Sequence, residues 1–488
     1  MTKVNRWKVV SVMIVIFSAA IAMQGQKFET LVKFDGTNGG GPGLMNLVQG
    51  RDGNLYGTSR GGGANNFGLV FKIGPLGNMV TLYSFCSKLG CADGYSPVEG
   101  LVSTIEGTLY GVTTSGGTYG VGTIFKITSD GSLSTLYSFC SQSKCSDGGS
   151  PEGALVQGTD GDLYGTTYGG GSPACQFYGC GTVFKITPKG QLTTLHSFDG
   201  TDGANPIAPL VQATDGKFYG TAAYPGNSQY NATAFSITPR GAFATLHNFN
   251  SSNEGNPLSG LIQASDGNFY GVTPDGGVGS WGCGGSGPPC GMVFRLGADG
   301  NLTTIYSFCT QSSCPDGALP FGRLVQATDG SLYGSTEIGG AYGEGTLFRI
   351  TLDGNLTTLH SFCAQKGCPD GAWPNGGLSQ STQGPLYGTT EVGGGKKGAG
   401  TIFGLNMGLS PFVAFVVPGG SVGSSGSILG QGFTGTTSVM LNGVPAQFHV
   451  VSDTYLTATV PPGATTGYVT VTTPKGVLKS NVPFQVIQ

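Results

Sequence analysis

Carboxylates recur at one place in a repeated motif. Asp93, Asp147, Asp202, Asp316 and Asp370 each open the pattern Asp-Gly-x-x-Pro, and Glu254 and Asn38 stand in the equivalent slots. Carboxylate oxygens are hard donors, so a circle of them would suit Ca²⁺ or a polar ligand. Paired carboxylates also serve as acid and base in glycoside hydrolysis, but seven equivalent copies single out no pair. Turn chemistry offers a plainer reading, in which Asp caps its own turn and Pro starts the next strand. His196, His247 and His360 invite a search for a nucleophile and its base. They occupy the slot that Tyr83, Tyr137 and Tyr306 fill elsewhere, which marks an aromatic position on a strand, and no Ser or Cys is singled out beside them. The Gly-rich stretches 116–122 and 339–345 look like phosphate-cradling loops, yet each leads into a strand and not into a helix N-terminus. Trp281, Trp373 and Tyr95 fall in loops, where exposed aromatic planes suit carbohydrate stacking.

The twelve cysteines fall into six tight pairs: Cys86 and Cys91, Cys140 and Cys145, Cys175 and Cys180, Cys283 and Cys290, Cys309 and Cys314, Cys363 and Cys368. None has the two-residue spacing of structural zinc sites, and no His flanks a pair, so six local disulfides and no metal site are expected. Lys3, Arg6 and Lys8 precede an apolar run from Val9 to Ala22 that ends in Ala20-Ile21-Ala22, the pattern of a cleaved signal peptide over residues 1–22. That run would extend only about 21 Å as a helix against a hydrocarbon core of roughly 30 Å, so it does not read as a membrane span. A secreted, extracellular or cell-surface protein is expected, and a monomer.

The elements that position these residues follow from self-similarity. The tripeptide Leu/Phe-Tyr-Gly recurs with its Tyr at 56, 110, 164, 219, 270, 333 and 387. A second marker centres on Phe71, Phe125, Phe184, Phe235, Phe294, Phe348 and Phe403, and a third ends at Phe85, Phe139, Phe198, Phe249, Phe308 and Phe362. Asp-Gly pairs at 52, 160, 215, 266 and 329 mark tight hairpins. With 90 Gly and 26 Pro in 488 residues, a helical protein is excluded. Each unit of about 54 residues reads as four antiparallel strands, the size of a propeller blade. The last unit stops after Phe403 and lacks its fourth strand, whereas an unpaired copy of that strand stands at Thr30 to Phe34. A seven-bladed β-propeller over residues 28–405, closed by its N-terminal strand, is therefore predicted. Loops between strands two and three, and the crossings between blades, then share one face, and all six Cys pairs map to it. If the ring closes, the recurring carboxylates form a circle near the channel mouth on that face.

After Leu409 the texture changes to short alternating strands with no Cys, and residues 410–488 read as a small immunoglobulin-like β-sandwich. Pro418-Gly419-Gly420, Gly430-Gln431-Gly432-Phe433, Val460-Pro461-Pro462 and Gly467-Tyr468-Val469-Thr470-Val471 resemble the IPT/TIG family, whose members act mostly as spacers or adhesion and binding modules. The repeats, as in Leu109 to Phe139, resemble the Gly-rich tandem repeats called GloVer repeats of secreted bacterial proteins. That resemblance implies an extracellular bacterial protein and no established activity. The family often carries a C-terminal sorting segment, which is absent up to Gln488.

A net charge of −3 without a basic cluster beyond the N-terminus excludes a nucleic-acid footprint. The reading is a noncatalytic binding or adhesion protein, with an extracellular glycan or protein meeting the Cys-bearing face through Asp93, Asp147, Asp202, Glu254, Asp316, Asp370, Trp281, Trp373 and Tyr95. No cofactor is expected, and Ca²⁺ is the one ion the carboxylates would suit. An enzyme acting on extracellular polysaccharide and a purely structural surface protein are the alternatives.

Overall fold

A computed structural model of the chain describes residues 26–43, 45–175, 179–222, 232–250, 253–278, 290–395 and 398–487. Residues 1–22, read above as a signal peptide, and Trp281 and Cys283 lie outside the described residues. Seven antiparallel sheets follow one another with the same order. The third is typical: Val156–Gln157 innermost, then Leu163–Thr167, Thr182–Ile186 and, outermost, Leu192–Ser197; the second, Val102–Ser103, Leu109–Ser115, Thr123–Ile127 and Leu133–Ser138, adds a fifth strand, Tyr95–Pro97, beside Leu109–Ser115. The last sheet takes three strands from the C-terminal end of the ring, Ser379–Gln380, Leu386–Thr390 and Thr401–Asn406, and its outermost strand, Lys27–Lys33, from the N-terminus. This is a seven-bladed propeller in which one blade is built from both ends of the ring, so no blade edge is left unpaired there.

Packing explains the recurring residues. A Cβ at Gly111 would lie 2.5 Å from Phe125 and 2.8 Å from Leu101, and the equivalent glycines of the other blades meet the same sandwich of Phe and Leu. Glycine is required because the third-strand Phe crosses directly over the second strand. Each outer-strand Phe then packs against the third-strand Phe of the next blade, edge-on in Phe85 with Phe125 at 5.1 Å and Phe139 with Phe184 at 5.3 Å and tilted in Phe308 with Phe348 and Phe362 with Phe403. The borrowed strand obeys the same rule, with Phe34 set against Phe71 of the first blade. In five of the seven markers the tyrosine reaches back to the Asp of its hairpin, as Tyr164 Oη donates to Asp160 at 2.6 Å.

A girdle of glutamines ties neighbouring blades at the inner strands, a device that the sequence reading did not anticipate. Gln212 accepts from the Thr159 N–H at 2.9 Å, Gln263 from Thr214 at 2.9 Å and Gln326 from Ser265 at 2.8 Å. Gln49 closes the circle by accepting from the Thr382 N–H and donating to its hydroxyl, both at 2.9 Å. The second blade has Ser103 in this slot.

Disulfides join Cys86 to Cys91, Cys140 to Cys145, Cys309 to Cys314 and Cys363 to Cys368 in the blade crossings, and Cys175 to Cys180 in a loop between strands two and three. Cys290 is also disulfide-bonded. Among the described residues the only helical turns are two short 3-10 turns, and no helix is long and apolar enough to cross a membrane.

The C-terminal segment forms two four-stranded sheets and a short parallel pair, the two sheets enclosing a core that includes Phe433, Leu456 and Val471. Phe448–Ser452 and Gly476–Lys479 are edge strands absent from the sequence reading. This sandwich docks on the hairpin-turn face of the ring. Thr454 Oγ1 donates to the Arg51 carbonyl at 2.5 Å, the Arg51 guanidinium lies 4.3 Å over the Tyr455 ring, and Gln485 donates to the Thr214 carbonyl at 2.5 Å. It thereby lies across one end of the central channel, a cavity of about 520 Å³ bounded by the inner strands and by Phe415, Pro418 and Val482 of the sandwich.

Candidate functional site

The recurring carboxylates do not ring the channel mouth, which corrects the expected placement of Asp93, Asp147, Asp202, Glu254, Asp316 and Asp370. Each is held beside the outer strand that precedes it. Asp93 accepts from Tyr83 Oη at 2.8 Å, from the Ser87 N–H at 3.0 Å and from the Lys88 N–H at 3.2 Å. Asp147 repeats the pattern with Tyr137, Ser141 and Gln142. Where the aromatic slot holds histidine, the imidazole takes the same part: His196 with Asp202 at 2.7 Å, His247 with Glu254 at 3.0 Å and His360 with Asp370 at 3.1 Å. Asp316 pairs with Tyr306 at 2.9 Å. The crossing loop leaves the outer strand too abruptly for its carboxylate to reach the axis, and the turn's own N–H groups capture it. Burial pushes the Asp93 carboxyl up, but hydrogen bonds from Ser87 and Tyr83 outweigh it and hold the group below the usual range.

The mouth itself is furnished by residues one step further on. Before five of the seven crossing prolines stands a non-glycine residue in the left-handed region, Ser96, Ser150, Asn205, Leu319 and Trp373, with φ between 50° and 58°, and Gly41 takes the same bend before Pro42. This bend turns the following residues toward the axis. The carbonyl of the bent residue also catches the residue just after the second strand: Leu319 accepts from the Glu337 N–H at 2.9 Å, and Trp373 accepts from those of Asn375 and Glu391 at 3.0 Å. The result is a cavity of about 320 Å³ at the mouth on the disulfide-bearing face, lined by propeller residues alone. Four carboxylates face it, Glu99 and Glu152 from one side of the ring and Glu337 and Glu391 from blades six and seven, with Ile207, Leu258 and Phe321 along the arc between them.

These carboxylates live in a different environment from the crossing ones. Glu99 is 8% exposed, and no hydrogen bond from a described residue reaches its carboxyl group. Burial pushes it up to about 8; Arg323 opposes the shift and Glu152 adds to it. Glu152 is raised by burial against the pull of Arg60, and Glu337 by burial and by its neighbour Glu391. Arg323, deeper in the channel, has its Nε buried without a partner. Asn375, also 8% exposed, donates to Glu391 at 2.5 Å, while its Oδ1 is buried with no partner. None of Glu99, Glu152, Glu337, Glu391, Asn375, Arg60 and Arg323 was singled out from the sequence. Their signal is positional: they stand just after the crossing proline, at the end of the second strand or at the start of the inner one.

Of the predicted aromatics, Trp373 is 39% exposed beside this mouth, and Tyr95 packs edge-on against Phe67 at 5.3 Å. Among the described residues the only group of three or more His, Cys, Asp or Glu close enough to share an ion is Cys290, Cys309 and Cys314, all disulfide-bonded. No three of the mouth carboxylates approach closely enough to chelate one metal.

Fold and site thus define a propeller with an axial, loop-face cavity and an immunoglobulin-like domain across its other end. The Gloeobacter/Verrucomicrobia repeat model matches residues 87–285 and 278–432, and the IPT/TIG domain model matches residues 411–486. The chain belongs to the Gloeobacter/Verrucomicrobia repeat family. No curated protein matches it. Solved structures similar to it include a provisionally named 6-phosphogluconolactonase from Bacteroides uniformis, 17% identical with a TM-score of 0.44 over 69% of this chain and 88% of that one. A gluconolactonase from Xanthomonas campestris is 12% identical with a TM-score of 0.39 over 80% and 92%.

Proposed function

We propose that the chain is a secreted, noncatalytic binding or adhesion protein that takes its ligand at the channel mouth on the disulfide-bearing face. The observation that carries this reading is the 320 Å³ cavity, in whose wall Asn375 Oδ1 is buried without a partner and the Glu99 carboxyl group meets no donor from a described residue. Buried polar groups are almost always satisfied in folded proteins, so an unsatisfied set facing a cavity supports a ligand that completes it. The sandwich across the opposite end favours entry from the loop face. Secretion is supported by the charged and apolar pattern of residues 1–22 and by the disulfides.

The test is a glycan and peptide array probed with the full chain, wild type beside Asn375→Ala and Trp373→Ala, with Arg240→Ala on the hairpin face as control. Binding weakened about tenfold or more by the mouth variants and unchanged by the control supports the reading. Equal binding by all four would overturn it. The proximity of Glu337, raised in pKa, to Glu391 favours a second reading, acid and base hydrolysis of polysaccharide. Release of new reducing ends, lost in Glu337→Gln, would establish that reading instead.

A further inference from the structure

The lining of the mouth is unbalanced in its hydrogen-bond chemistry. Four carboxylates and the Asn375 carbonyl oxygen offer acceptors, whereas the side-chain donors of the lining are the Arg60 guanidinium, the Thr114 hydroxyl, which already gives to the Ser96 carbonyl, and the Asn375 amide, which gives to Glu391. A sugar hydroxyl both gives and takes a hydrogen bond, so a sugar suits a balanced lining. A protonated amine only gives. Charge points the same way: once a bound cation holds Glu99, Glu152, Glu337 and Glu391 ionised, they outnumber Arg60 and Arg323 by two negative charges in a largely buried space. The acidic groups stand in two sets on opposite sides of the ring, and Ile207, Leu258 and Phe321 form an apolar wall between them. A bare metal ion does not meet this description, because no three carboxylates converge.

We propose that the mouth binds an organic dication, two protonated nitrogens joined by an apolar spacer, with one nitrogen at Glu99 and Glu152 and the other at Glu337, Glu391 and the Asn375 carbonyl. This deepens the binding reading above and rests on it. Asn375 supplies the independent mark of a ligand: its Oδ1 is buried, unpartnered and set in the cavity wall, while its amide already serves Glu391. At Glu99 the neighbouring charges are Arg323 below and Glu152 beside it, and an arriving ammonium would hold the carboxylate ionised where burial otherwise keeps it protonated.

The experiment is calorimetric titration of the full chain with α,ω-diaminoalkanes of three to eight carbons, with the n-alkylamine of each length and a neutral oligosaccharide as comparisons. One chain length is expected to bind at least about tenfold tighter than its monoamine, and Glu99→Gln and Glu391→Gln each to remove about tenfold. Repeating the titration in buffers of different ionisation enthalpy is expected to reveal proton release on diamine binding and none on oligosaccharide binding. Asn375→Asp, which adds an acceptor charge without removing volume, is expected to tighten the diamine, and circular dichroism of each variant separates lost binding from lost folding. Equal affinity for monoamine and diamine, or no diamine binding, would overturn the dication. If an arrayed glycan or peptide then still loses binding in Asn375→Ala, the mouth stands as the site and only the ligand class falls. If mouth variants alter no ligand, both readings fall.

Discussion

Two sets of carboxylates share one face of this ring and differ in nearly everything else. At the crossings, Asp93 and Asp147 are fully buried yet saturated with donors from an outer-strand tyrosine and the turn's own N–H groups. At the mouth, Glu99 is also buried, at 8% exposed, and has no donor among the described residues, and its carboxyl group is pushed up to about 8. Burial alone therefore says little about role. A buried carboxylate with a full shell is part of the scaffold, and one with an empty shell is a place where something else can bind.

The comparison breaks most visibly at the crossings. Asp147→Ala removes the acceptor of four donors, Tyr137 Oη, the Ser141 hydroxyl and the N–H groups of Ser141 and Gln142, and is expected to cost about 3 kcal/mol in denaturant unfolding while leaving mouth affinity unchanged. A loss of ligand binding at undiminished stability would reverse the assignment of this residue to the scaffold. At the mouth the sign is opposite. The folded-state pKa of Glu99 lies above its ordinary value of 4.5, so both states hold the proton below pH 4.5, and between about 4.5 and 8 the unfolded chain releases a proton that the folded chain keeps. Stability is expected to fall as pH rises through that window and to level off above it, by about 2 kcal/mol or more. Glu99→Gln should flatten the fall, which denaturant midpoints measured from pH 4 to 9 would read. A smaller effect sharpens the same contrast. Tyr137→Phe removes one donor and leaves Asp147 its other bonds, so about 1 kcal/mol is expected, and a cost equal to that of Asp147→Ala would mean that the tyrosine carries the turn.

The scaffold was legible because it repeats. The Tyr-Gly and Phe markers fall at the points where the second strand is crossed by Phe and where one blade abuts the next, and the unpaired strand around Val32 and Phe34 announced its own closure. Two-residue inner strands such as Val102–Ser103 and the edge strands of the sandwich left little alternating pattern to read. The mouth was illegible for the converse reason. Just after the crossing proline stand Gly43, Val98, Glu152, Ile207, Leu258, Phe321 and Asn375, and at or just after the end of the second strand Arg60, Thr114, Tyr168, Glu337 and Glu391. These positions share backbone geometry and no side-chain chemistry, so averaging over repeats erases them. Asp-Gly-x-x-Pro attracted attention because it is periodic, and periodicity here marks turns.

Trp373 sits where the two sets meet and permits the finest cut. Its left-handed backbone, φ 58°, places the carbonyl that holds both Asn375 and Glu391, while its indole is partly exposed on the rim. Glycine adopts that conformation without the Cβ conflict that a tryptophan bears. Trp373→Gly is therefore expected to keep the carbonyl in place and to relieve about 1 kcal/mol of backbone strain, partly offset by lost indole packing and a freer unfolded chain. The net change in unfolding free energy should be small. If diamine affinity holds and an arrayed ligand weakens, the indole is a stacking surface separate from the carboxylate cavity. If diamine affinity falls as well, the aromatic plane and the acidic mouth form a single site, and the side chain itself helps to position Glu391.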